Sequence, residues 1–280
     1  MSRKRIWTKC AALLCVAALI CTALLSGCAG ETPAETLAES TAAEESVYSR
    51  YFTHYYLNAK NRGDCRELKG KVLITFFLVS DDDSRWDTAS VKKLKEAHEN
   101  AKKLMVSEAA SYGVTLEVTL NYIRCTVEGS FGRDNHRNRI GDVFAAAGFS
   151  DKNKVSRTLE QKYEVDAAPL LICVNRSERS FATNNKTDVR GLEYAVLFGK
   201  NEDFRHELYH LFGAKDLYPK SVKTLGQMYF PTSVMLDSSL VVDDLTAYLM
   251  GWTETASEKV IKFLDATWHI NSSNFKDADD

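Results

Sequence analysis

The chain has 280 residues, of which 45% are hydrophobic, 26% charged and only 4 proline. That is enough for one substantial domain, or at most two small ones, with a core of normal size. A formal net charge of −2 excludes a general nucleic-acid binder, because no basic excess is present to neutralise phosphates.

Residues 1–27 read as a lipoprotein signal peptide. Arg3, Lys4, Arg5 and Lys9 form a basic start, an apolar run extends from Ala11 to Leu25, and small residues lead into Cys28. The run is shorter than the roughly 20 residues a spanning helix needs. Its ending, Leu25-Ser26-Gly27-Cys28, resembles the lipobox of bacterial lipoproteins. That resemblance implies lipid on Cys28, which would hold the folded part at the extracellular face of the bacterial cell membrane. Residues 28–46 are small, polar and acidic and read as a flexible tether. Cleavage before Cys28 leaves Cys65, Cys125 and Cys173 in the folded part. An odd number with no close pair excludes a disulfide scaffold and a cysteine zinc site; one bridge among the three stays open.

From residue 47, Tyr48, Tyr51, Phe52, Tyr55 and Tyr56 recur at helical spacing, which predicts an aromatic helix packed on the main body. The apolar run 70–81 predicts a buried strand. A long amphipathic helix is expected over 88–112, with Val91, Leu94, Ala101, Leu104 and Met105 on its inner side. Segment 114–127 alternates as a strand should, and shorter helices are expected near 137–147 and 154–163. Segments 167–175 and 193–199 read as strands, with a polar loop over 176–190 between them. Strands alternating with helices predict an α/β layered domain.

His206 and His210 are four residues apart, with Glu207 directly after the first. On a helix both imidazoles face one ion, and the glutamate reaches a water beside it. Gly213, three residues after His210, can adopt the left-handed conformation that ends the helix and turns the chain back. Asp216 is the carboxylate brought back, and it is a competent zinc ligand.

The pattern His206-Glu207-x-x-His210-x-x-Gly213-x-x-Asp216 resembles the long zinc motif of the metzincin proteases. Aspartate stands where most members have a third histidine, a variant similar to the snapalysin group of small secreted bacterial proteases. The Gly-x-x-Asp-x-Tyr ending is also similar to immune inhibitor A-type metalloproteases. Metzincins carry a methionine in a tight turn beneath the metal, and Met235 in its Ser-Val-Met setting resembles that turn.

The resemblance implies a zincin fold: a mixed twisted sheet with long helices and an active-site helix over 47–213, then a small, mainly helical subdomain over 214–280. Helices are expected there near 243–251 and 255–269. It further implies Zn2+ held by His206, His210 and Asp216, with Glu207 as general base. The partner is a peptide or protein substrate laid along strand 193–199 as the sheet edge. The function so implied is that of a membrane-anchored, monomeric, zinc-dependent extracellular endopeptidase. Two alternatives stand beside it: a catalytically weak surface lipoprotein that uses the same fold for binding or adhesion, and a zinc amidase acting on the cell wall. Tyr218 and Tyr229 flank the motif, with packing weighed ahead of a role at the oxyanion. Asp243 and Asp244 are an unneeded alternative acidic ligand, and His54, His98, His136 and His269 have no ligand spacing.

Overall fold

Side-chain alternation along the strands sets the layering. The computed structural model describes residues 53–184, 190–199 and 203–270. The signal peptide, the tether and Cys28 lie outside the described residues.

Among the described residues, five strands form one mixed sheet in the order β2-β1-β3-β5-β4. Strands β1 (Gly70–Ser80), β2 (Leu116–Thr126), β3 (Leu170–Val174) and β5 (Tyr194–Phe198) run parallel. Strand β4 (Phe181–Thr183) is antiparallel and closes the edge beside β5. Strand β1 is buried on both faces, as its continuous apolar run requires, because helices cover both sides. Ile74, Phe76 and Leu78 point to one layer with Leu171, Cys173, Ala195 and Leu197. Leu73, Phe77 and Val79 point to the other with Leu170, Ile172, Val174, Val196 and Phe198.

On the first face lie α1 (Thr88–Ser111) and α4 (Arg205–Leu211), together with α6 (Asp244–Leu249) and α7 (Glu258–Ala266). On the second lie α2 (His136–Ala146) and α3 (Val155–Tyr163). Helix α5 (Lys223–Tyr229) precedes the Met235 segment and packs near α7. Asp87 starts α1 by accepting a hydrogen bond from Ser90 N at 2.6 Å, and Ser257 starts α7 by accepting one from Val260 N at 3.3 Å.

Four expectations change. First, residues 53–61 form turns, not helix. His54 O accepts from both Leu57 N and Asn58 N, His54 Nδ1 accepts from Tyr56 N, and Asn61 has a left-handed backbone. Tertiary packing outweighs the helical spacing here, with Tyr56 fully buried against Phe263. Second, Leu104 is 41% exposed, and the inner side of α1 carries His98 and Glu108 instead. Third, the segment expected to be all loop contains β4, too short and polar in its flanks to announce itself. As a result 193–199 is interior, not the edge, and Phe181–Thr183 holds the edge position. Fourth, α5 was not anticipated. Cys65, Cys125 and Cys173 are all free and buried, so none of them forms a bridge.

Candidate metal centre and cleft

Helix α4 carries both histidines. Its inner side, Leu208, Tyr209 and Leu211, is buried, so His206 and His210 are held one turn apart at the mouth of the cleft. Their ring centroids lie 4.9 Å apart.

The helix ends at Gly213 with φ +93°, Gly213 N donating to His210 O and Ala214 N to Tyr209 O, both at 3.1 Å. This is a Schellman closure. A Cβ on Gly213 would meet Ala59 O at 2.9 Å, so both the backbone angle and the space demand glycine there.

The same turn does two further jobs. It places Ala214 O 3.0 Å from His210 Nδ1, and it returns Asp216 to the histidines. His206 Nδ1 lies 2.9 Å from Val234 O. A carbonyl can only accept, so each Nδ1 carries the proton and each Nε2 presents a lone pair. Both lone pairs meet Asp216 Oδ1, at 3.1 Å from His206 and 3.2 Å from His210.

These are hydrogen-bond distances, yet with each Nδ1 proton given to a carbonyl a neutral imidazole has no N–H left for Asp216 Oδ1, which is buried. Three lone pairs converge, and something positive belongs between them. A tetrahedral ion with bonds of about 2.0–2.1 Å would set its ligand atoms about 3.3 Å apart, close to the separations observed. His206, His210 and Asp216 form the one such cluster among the described residues.

Protein groups alone would answer with a proton. Burial disfavours the charged Asp216 carboxylate, but the imidazoles of His210 and His206 outweigh burial and hold it well below the usual range. Burial likewise opposes charge on His210, but Asp216 and then Glu207 push it up to about 9. A metal ion competes with that proton for the same position.

Glu207 is buried between the ligands and lines the cleft on both sides of them. Burial raises its carboxyl pKa, against the opposing pull of His210 and His206. Among the described residues it accepts no hydrogen bond, so its carboxylate faces the cleft uncommitted.

Met235 is fully buried, and its segment touches both the His206 and the Asp216 sides of the candidate site. Val234 O holds His206, while Met235 O accepts from Leu217 N at 2.9 Å, next to Asp216. The turn is fixed from below: Met235 N donates to Ser233 Oγ at 3.0 Å, and Ser233 Oγ donates to Asp243 Oδ2 at 2.5 Å. Asp243 also accepts from Leu245 N and Thr246 N and so caps α6. That use takes it out of contention as a ligand.

Several supports were not read from the sequence. Arg205, 1% exposed, pairs with Glu108 of α1 at 3.0 Å and Asp203 at 2.6 Å, and donates to Leu240 O at 3.1 Å. It therefore fastens the helix that carries His206 and His210 to α1 and to the loop after Met235. A charge on the apolar stripe of α1, at Glu108, was the readable signal. Tyr56 donates to Asp216 O at 3.2 Å, a contact that local pattern could not reveal.

The cleft has two arms. The wide one, about 1110 Å³, is lined by His206, Glu207, Tyr218, Phe198 and Leu236 among others. The narrow one, about 140 Å³, runs past His210 and Asp216 along β4. Tyr218 belongs to both, its ring stacked 6.1 Å from His206 and its hydroxyl accepting from Arg179 at 2.8 Å. Tyr229 packs on Phe230 and Phe263 away from the ligands. His54, His98 and His136 are buried structural groups. Asn184 Nδ2 ties the end of β4 to His210 O at 3.3 Å.

No protein-family model, curated protein or solved structure matches this chain.

Proposed function

We propose that this chain is a zinc-dependent peptidase with a zincin-like fold. The observation that carries this reading is the convergence of His206 Nε2, His210 Nε2 and Asp216 Oδ1 on one point, with both Nδ1 atoms held by carbonyls. Bound there, Zn2+ supplies Lewis acidity toward water and a substrate carbonyl.

The chain's own groups do the rest. Glu207 takes a proton from water in the cleft and returns it to the leaving amine nitrogen; its raised pKa suits both halves of that exchange. Val234 O and Ala214 O hold the two imidazoles in the tautomer that offers Nε2. Strand β4 is the edge of the sheet among the described residues, a position at which an extended peptide can add by backbone pairing without strict side-chain demands. The basic start, apolar run and Leu-Ser-Gly-Cys ending support export and lipid anchoring through Cys28 at the outer face of a bacterial membrane.

Zinc analysis and cleavage of a mixed peptide library by wild type and Glu207→Ala test the reading. Stoichiometric zinc with Glu207-dependent cleavage is expected. Bound zinc with no Glu207-dependent cleavage of any peptide would overturn it.

A further inference from the structure

Residues 54–60, which form turns, run behind the candidate metal centre as a strap fastened at both ends. At the first end Leu264 O of α7 can only accept, so His54 Nε2 carries the ring proton and donates at 3.1 Å. That leaves Nδ1 to accept from Tyr56 N at 3.2 Å. At the other end Lys60 Nζ donates to Tyr248 O of α6 at 2.8 Å and lies 4.2 Å from the centroid of the Tyr248 ring.

Between these clamps the strap meets the turn that serves two candidate ligands. A Cβ on Gly213 would come within 2.9 Å of Ala59 O, so the two backbones are in direct contact there. Tyr56 is fully buried, its ring edge-on to Phe263 at 5.0 Å and to Tyr55 at 5.3 Å. Its hydroxyl donates to Asp216 O at 3.2 Å, while Leu217 N donates to Met235 O at 2.9 Å. The peptide unit between Asp216 and Leu217 is therefore gripped at both polar groups, by the strap on one and by the Met235 segment on the other.

That grip bears directly on the side chain. Asp216 Oδ1 sits 3.1 and 3.2 Å from two imidazole nitrogens at once, and a ligand set works only when its members are held to within about 0.5 Å. A backbone free to relax would carry the carboxylate off that point. Binding an ion would then include the work of ordering the turn, which a peptide unit fixed beforehand avoids. Packing accounts for the Tyr56 ring, since a phenylalanine would fill the same space. It does not account for the hydroxyl.

We infer that residues 54–60 are a strap that completes the metal centre from behind, with Tyr56 as the positioning residue for Asp216. The inference rests on the proposed metal-binding role of Asp216. The segment leading into the domain is thereby part of the site, although it contributes no ligand to it.

The test uses the full chain and Zn2+ itself. Tyr56→Phe keeps the ring and removes the donor. Its control is Ser156→Ala, because Ser156 Oγ makes the same kind of bond, to Ala168 O at 2.9 Å, on the other face of the sheet. Zinc affinity is read by competition with a chelating dye at a temperature where each variant is folded, and ligand geometry by the visible bands of the Co2+-loaded chain. Tyr56→Phe should bind zinc about threefold to tenfold more weakly, the scale of one net hydrogen bond, with altered cobalt bands. Ser156→Ala should melt earlier yet keep wild-type affinity and bands.

A matching loss of affinity in Ser156→Ala overturns the positioning role. So does wild-type affinity with wild-type bands in Tyr56→Phe while Asp216→Ala loses zinc; the metal site then stands without the strap. Zinc weakened as expected in Tyr56→Phe, but with no Glu207-dependent cleavage, overturns the peptidase and leaves the strap. A wild-type chain that takes up no zinc overturns both.

Discussion

On the face of the sheet covered by α2 and α3, the core is Leu73, Phe77, Val79, Phe144, Leu159 and their neighbours. The polar groups those helices bury, His136 and Ser156, are neutral ones. Burial, followed by the charges of Arg137 and Arg133, lowers the His136 pKa, and Ser156 Oγ simply donates to Ala168 O at 2.9 Å. On the face covered by α1 and α4, Arg205, Glu108, Glu207 and Asp243 are buried among the same kinds of apolar side chain. Buried charge is costly and seldom improves stability over a hydrophobic replacement. The other layer has its own buried carboxylate, Asp81, answered by Arg176 and Phe131 N, but the larger group lies around the helix that carries His206 and His210. One face stores stability; the other spends some of it to hold His206, His210 and Asp216.

Variants sharpen that contrast. The largest effect is expected from Glu207→Gln, which should cut turnover by about 10²–10⁴-fold while equilibrium dialysis shows zinc retained. Arg205→Leu strands the buried Glu108 carboxylate and should cost about 3–5 kcal/mol of stability. Because Arg205 also grips Asp203 and Leu240 O, zinc affinity should fall with it, as read in a competition titration with a chelating dye. On the other face, Phe144→Ala should cost a similar amount, about 3–5 kcal/mol, in denaturant melts. Zinc affinity measured where that variant is folded should be unchanged. A parallel loss of zinc affinity in Phe144→Ala would erase the distinction between the faces.

Gly213→Ala should cost about 1–2 kcal/mol or more from the left-handed backbone alone. It should also weaken zinc binding, because Ala214 O and Asp216 both hang on that turn. The smallest effect is a change with pH. His210 rises from its ordinary 6.5 to about 9 in the metal-free fold, where burial is outweighed by Asp216 and Glu207. The stability it contributes is therefore fully present below pH 6.5 and lost as pH rises through about 9. The metal-free chain should melt a few degrees lower at pH 9 than at pH 6.5, a shift visible by scanning calorimetry. Zinc affinity should run the other way, strengthening with pH up to about 9 as the competing proton leaves.

The candidate ligands were legible because their relation is local. His206, Glu207 and His210 share one helical turn, and Gly213 closes that helix by a rule that needs only a residue without a Cβ. Strands β1, β3 and β5 were legible for a similar reason: a strand covered on both faces reads as an unbroken apolar run. Leu104 and the turns over 53–61 depart from their periodicity because periodicity reports which face can be buried, not which neighbour arrives to bury it. Strand β4 is three residues long, below the length at which any period shows. Without that strand, 193–199 would stand at the edge of the sheet.

The amino-acid sequence by itself determined the α/β order of elements, the spacing of the candidate metal ligands and the turn that returns Asp216. Each depends on contacts within a few residues or on an alternation that repeats along the chain. Only the tertiary structure decided that Val234 O would hold His206, that Tyr56 would reach Asp216 across 160 positions, and that Arg133, Arg179 and Lys215 would share one cavity. Those partners are far apart along the chain. Their meeting is set by which faces the sheet must cover, and no local pattern records it.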